Sequence, residues 1–175
     1  MILKSILIAS IFFSINSYAK ESITGAFDYK FGQVVHKDKK PFNYIGYKPL
    51  KPLEEFQWYE YHITPISNQV YRITASGYSP DCKPHYDLKE FFSKKYKKGM
   101  GLQSVKKNVK KVIASWNDND GNNISLTCEK SELNKWAWNE LAYTSKKLSK
   151  VYEDESNLFE KKLNNRIEKY KRFDL

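Results

Sequence analysis

The sequence predicts an α+β domain: an antiparallel sheet of about five or six strands, two hairpins plus flanking strands, packed by two helices and stapled by one disulfide. Three observations carry this expectation. Residues 56–75 and 109–128 each alternate apolar and polar side chains on both sides of a turn signal. Two later stretches repeat apolar residues at helical spacing. Two cysteines, Cys82 and Cys128, stand one near each hairpin's second arm. With 175 residues, 41% hydrophobic and 15% aromatic, the chain can bury one sizeable core.

The first hairpin reads F-Q-W-Y-E-Y-H-I-T, P-I-S-N-Q, V-Y-R-I-T-A. Tyr59, Tyr61 and Ile63 share one face of its first arm, and Tyr71, Ile73 and Ala75 one face of its second. Pro65, Ser67 and Asn68 supply the turn. Phe56 and Trp58 fall on the opposite parity, which calls for a bulge near Trp58 or a second covering layer. In the second hairpin, Val112, Ala114 and Trp116 face Ile124, Leu126 and Cys128 across N-D-N-D-G-N-N. That run is a turn rather than a calcium loop. With Gly121 at loop position six, Trp116 and Thr127 would occupy the positions where carboxylates are required.

Ser79-Pro80-Asp81 starts the first helix, with Asp81 as N-cap. Leu88, Phe91, Phe92 and Tyr96 form its apolar stripe, Lys94, Lys95, Lys97 and Lys98 crowd its last turn, and Gly99 stands where a C-cap glycine belongs. Leu141-Ala142-Tyr143 reads as the last strand. Residues 145–173 form a long C-terminal helix, with a bend or a division expected at Asp154 and Glu155. Its apolar stripe, with Tyr152 and Phe159, either packs across the sheet or meets a partner. Each hairpin followed by a helix suggests a duplicated ββα plan. Residues 36–52, rich in Lys, Pro and Gly, read as a long loop.

Residues 1–19 have the pattern of a signal peptide: Lys4, an apolar run from Ile6 to Ile15, then Ser17-Tyr18-Ala19. A single domain, 20–175, is expected to follow, exported to the periplasm or secreted, with no transmembrane segment after cleavage. In an oxidising compartment Cys82 and Cys128 most simply pair, closing a 47-residue loop; a metal site or a thiol nucleophile are the alternatives. The three histidines, His36, His62 and His85, show no ligand spacing with the cysteines, and neither metal nor cofactor is expected.

The opening I-T-G-A-F-D-Y-K-F-G-Q-V-V alternates Phe27, Tyr29 and Phe31, as a strand would, between Gly25 and Gly32. It resembles small exported bacterial proteins of unknown function that begin G-x-F-G-x-x-(F/L)-G, with Asp28 standing where that pattern has Gly. The I-S-L-T-C strand and the L-A-Y segment extend the likeness, which implies no activity.

No nucleophile elbow, phosphate loop, zinc-protease motif or C-x-x-C occurs, so an enzyme is not expected. Glu60 and His62 share a strand face as the one acid–base pairing on offer, against a solvated-surface reading. Trp136 and Trp138, two apart, either stack on a sugar ring or fill and cap the core. The formal charge is +10, and +9 once Lys4 leaves with the leader. Of 30 basic residues only Arg72, Arg166 and Arg172 are Arg, so no specific nucleic-acid reader is expected. Residues 94–111 hold eight lysines: Lys94, Lys95, Lys97, Lys98, Lys106, Lys107, Lys110 and Lys111. The leading expectation is a non-enzymatic binding or interaction protein of the bacterial envelope or exterior, with a protein partner. The alternatives are a cationic binder of anionic envelope polymers or lipids through 94–111, and an enzyme of unknown type.

Overall fold

The computed structural model describes residues 21–35, 44–106 and 109–171. The leader, residues 36–43 of the expected loop, and Lys107 lie outside them. The class is α+β. Seven antiparallel strands run in the order β3-β4-β5-β9-β8-β7-β6, beside a separate two-stranded ribbon, β1-β2.

The ribbon replaces the strand expected at 27–31. β1 (Gly25–Ala26) pairs with β2 (Tyr29–Lys30), and the two residues between them, Phe27 and Asp28, have φ of 46° and 73°. Positive φ at both central residues is the geometry of a two-residue hairpin turn. The turn aims Phe27 into the core, edge-on to Tyr59 at 5.1 Å and to Tyr143 at 5.8 Å. Alternation alone could not separate a strand from this turn, because the apolar rings serve the core either way.

Both predicted hairpins form. β4 (Trp58–Ile63) pairs with β5 (Val70–Ser79), and β7 (Val109–Asn117) with β8 (Asn123–Ser131). The bulge lies between His62 and Ile63, at the turn end of β4, rather than near Trp58. β9 (Ala137–Thr144) joins the two hairpins by pairing with β5 and β8. β3 (Tyr44–Tyr47), within the expected loop, edges β4.

The first helix ends sooner than expected. α1 spans Lys83–Lys95, with Cys82 at the N-cap, Asp81 Oδ1 accepting from the Lys83 amide, and Phe91 exposed rather than in the buried stripe. Lys97 and Lys98 belong not to its last turn but to β6 (Lys97–Lys106), the sheet's far edge. Gly99 is therefore a strand residue and caps nothing; Tyr96, already extended, ends the helix. Lysine is uncommon in strands in general but suits an edge, where its charge deters a stray strand from adding. With β6 through β9 forming one meander, the duplicated ββα plan does not hold.

The core lies on one face of the sheet. Ile23, Tyr59, Phe92, Trp116, Leu126 and Leu141 form its centre, and Tyr61, Ile63, Val70 and Ile73 a second cluster joined to it through Phe27 and Tyr143. α1 and the ribbon cover this face. The Cys82–Cys128 disulfide ties the front of α1 to β8. Closing a loop of that length stabilises the fold by about 4 kcal/mol on the chain-entropy account.

The Asn- and Asp-rich turn has a structural task. Asp118, 9% exposed, accepts from the buried Ile23 amide at 2.8 Å and from Asn122 Nδ2 at 3.0 Å through Oδ2. Asn122 Nδ2 also donates to the Ile23 carbonyl, and Asn122 Oδ1 accepts from the Lys146 amide. One turn thus holds both the start of the domain and the start of the last helix.

α2 (Lys146–Lys171) is a single helix with no break at Asp154 or Glu155. Ser145 caps it, its Oγ accepting from the Leu148 amide. Tyr152 stacks on Tyr71 at 4.6 Å. Glu155 accepts from the Ile66 and Ser67 amides in the β4–β5 turn, at 2.7 and 3.0 Å. Burial pushes the Glu155 carboxyl up, but these hydrogen bonds and that of the Ser67 hydroxyl outweigh it and hold it below the usual carboxylate range. The residue expected to interrupt the helix instead fastens it. Beyond Ser156, every described side chain of α2 is exposed.

Replacing Asp118 by Ala strands the buried Ile23 amide and releases the turn. Urea unfolding is expected to show a loss of about 2–3 kcal/mol. A loss within a few tenths of a kcal/mol would mean the clamp holds nothing.

Candidate functional site

The second face of the sheet is open at the end that carries Trp58, Tyr78 and Trp138, whereas at its other end α2 lays Tyr152 on Tyr71, beside His62. Along β4 the buried residues Tyr59, Tyr61 and Ile63 alternate with Trp58, Glu60 and His62, which point the other way. Register carries this face across the sheet: Trp58 opposes Ser76, and Ser76 opposes Glu140. Tyr78 opposes Trp138, which opposes Glu129.

Three aromatic rings meet there. Trp58 stacks on Trp138 at 5.9 Å and 25°, and Tyr78 stands edge-on to both, at 5.9 and 5.0 Å. The small side chain of Ser76, between Trp58 and Glu140, leaves room for the Trp58 ring to reach across β5. Gln57 fixes the corner beyond the end of β4. Its Oε1 accepts from the Tyr78 amide at 2.7 Å and its Nε2 donates to the Tyr78 carbonyl, continuing the ladder with a side chain. Gly77 leaves space for this pairing, since a Cβ there would lie 2.4 Å from Gln57 Oε1 and displace the Gln57 side chain.

Trp136, just before β9, extends the aromatic surface. Trp58, Tyr78 and Trp136 are each about half exposed, at 48%, 52% and 56%. With Gln57 and Asn134 they line an open groove of about 570 Å³. A second hollow of about 340 Å³ adjoins it over the middle of the face, walled by Trp138, Glu140, Arg72, Thr74, Glu60 and His62. Here Arg72 Nη2 donates to Glu140 Oε1 at 2.9 Å, and His62 Nε2 lies 3.4 Å from Thr74 Oγ1 and 4.0 Å from Glu60 Oε2. Lys111 pairs with Glu129 on the same face. The arrangement is a platform of aromatic rings bordered by charged and amide groups, able to hold a ligand with one apolar and one polar side.

Burial, and then the Arg72 charge, lower the His62 imidazole to about 4. Its ring is neutral near pH 7, and so weak a base abstracts protons poorly. The Glu60–His62 pair is close in space, but it reads as part of the charged border.

The remaining predicted site residues disperse. Lys94 and Lys95 end α1, paired with Glu90 and Glu21. Lys97, Lys98 and Lys106 lie along β6, and Lys110 and Lys111 follow one another on β7, so their side chains leave opposite faces. The lysines of 94–111 that lie in described elements are thus spread over α1, β6 and β7. Tyr152 is engaged with Tyr71, whereas Phe159 is exposed on the projecting part of α2. Trp136 and Trp138 stand on the open face, not in the core. Cys82 and Cys128 are joined, which leaves no thiol or cysteine ligand. The sequence reading missed Trp58 and Tyr78. The parity of Trp58 marked its face, and Tyr78 was hidden because β5 runs four residues past Ala75.

The fold and face define an α+β domain with a one-sided sheet. Comparisons with protein families, with curated proteins and with solved structures find no match to the chain. No helix among the described residues is long and apolar enough to cross a membrane.

The His62 shift gives a pH dependence. Below about pH 6.5 the unfolded chain takes up a proton that the folded ring refuses until about pH 4. Stability from this group is complete above pH 6.5 and declines as pH falls toward 4. The urea midpoint should drop across that window, and His62→Gln should reduce the drop. An unchanged pH slope in the variant would contradict the assignment.

Proposed function

We propose that the protein is an exported, non-enzymatic binding protein of the bacterial envelope or exterior, and that it recognises a saccharide on the open sheet face. One observation carries the reading: three of the four tryptophans, Trp58, Trp136 and Trp138, gather with Tyr78 on an uncovered surface. Large aromatic rings are rarely left half exposed together unless something covers them. A pyranose offers C–H faces to such rings and hydroxyls to a polar border. Asn134, Glu129, Glu140 and Arg72 supply that border. The Cys82–Cys128 disulfide is compatible with export to an oxidising compartment, as the signal-peptide pattern requires.

Tryptophan emission tests this directly, because Trp116 is buried, Trp58 and Trp136 line the groove and Trp138 walls the hollow beside it. Titration of N-acetylglucosamine oligosaccharides and solubilised peptidoglycan should shift the emission. Trp136→Ala and Trp58→Ala should each weaken binding at least about tenfold, equal to about 1.4 kcal/mol. Binding that ignores both variants yet falls steeply with salt and with Lys110→Glu would replace this reading with the cationic one.

A further inference from the structure

The same helix that fastens the β4–β5 turn continues beyond the domain. From Asn157 to Lys171 α2 adds 15 residues, a rod of about 22 Å at the helical rise. Phe159, Leu163 and Ile167, spaced by four, continue the stripe begun by Tyr152, yet they are 56%, 48% and 44% exposed. Helices this short are marginal in water by themselves, so an uncovered apolar stripe is a cost with no return inside the domain.

The charge around the stripe indicates what covers it. Residues 157–171 hold five basic side chains and two acidic ones. Lys162 and Arg166 border the stripe itself, lining a shallow groove with Phe159 and Leu163. Apolar rings and branched chains flanked by long cationic stems match an interface between acyl chains and anionic headgroups. A polyanion alone would leave the apolar stripe wet. Self-pairing in an antiparallel coil is disfavoured as well. With Phe159 set against Leu163 of a second copy, Lys162 would face its own symmetry mate and Glu160 would face its own.

We propose that the projecting part of α2 docks this domain on an anionic lipid surface. Phe159, Leu163 and Ile167 enter the headgroup boundary, and Lys162 and Arg166 meet the phosphates. The proposal is independent of the saccharide reading, since the two surfaces share no residue.

The test is co-sedimentation of the purified chain from Lys20 to Leu175, without the apolar leader, with vesicles. The protein should sediment with phosphatidylglycerol-containing vesicles and not with phosphatidylcholine alone. Phe159→Ser with Leu163→Ser leaves the charge unchanged and should weaken binding at least tenfold, while Lys110→Glu should have little effect. These serines replace exposed residues, so an unaltered circular dichroism spectrum is expected. Sedimentation unaffected by the double serine variant would overturn the proposal, as would no sedimentation with either vesicle. Concentration-dependent dimers lost on Leu163→Ser, without vesicle binding, would assign the stripe to a second copy instead.

Discussion

The register between β4, β5 and β9 is the constraint on which the rest of this structure depends. Side chains alternate between faces along each strand, so a slip of one residue would send Trp58 and Trp138 inward and Tyr59 and Leu141 outward. The β4–β5 turn, the bulge at His62/Ile63 and the Gln57–Tyr78 pairing hold that register from both ends. Because α1 and the β1–β2 ribbon cover the other face, every large ring placed outward by the register stays in reach of solvent. Three rings of the platform, Trp58, Tyr78 and Trp138, are thus placed by strand pairing, and Trp136 joins them from the turn before β9.

Two anchors let so one-sided a sheet persist. The disulfide binds α1 to β8, and the Asp118–Asn122 turn fixes Ile23 and the start of α2. Buried hydrogen bonds to a carboxylate are costly to lose, so the Asp and Asn residues that read as a plain turn in the sequence hold the two flanks of the domain. α2 uses the same device at Glu155, then leaves the domain one residue after Ser156. Its fastened half and its free half differ in burial but share one apolar stripe. That continuity is the basis for the docking proposed for the free half.

Much of this was legible in the sequence where one signal dominated. The hairpins 56–75 and 109–128 announce themselves by alternation and turn residues, α2 by its period, and the disulfide by compartment and count. The rest failed where signals competed. Lys97–Lys106 reads as a helix end and a solvated run because lysine is a poor strand former, yet at an edge its charge protects the sheet. Phe27, Tyr29 and Phe31 alternate like a strand although Phe27 and Asp28 sit in a turn of positive φ, where glycine is the usual marker. At the candidate site, Trp136 and Trp138 were visible as a pair but their face was not. Parity within a strand tells which residues share a side, while only the register of neighbouring strands tells which side is covered.

The central claim is that the platform of Trp58, Tyr78, Trp136 and Trp138 is the recognition surface and Trp116 is core. Heteronuclear NMR of the four indole N–H groups, recorded as an N-acetylglucosamine oligosaccharide is added, tests it most directly. The account predicts that the Trp58, Trp136 and Trp138 resonances move together along one binding curve while Trp116 stays in place. Four unmoved indoles with shifts confined to lysine-rich amides, or a shift at Trp116 alone, would contradict it.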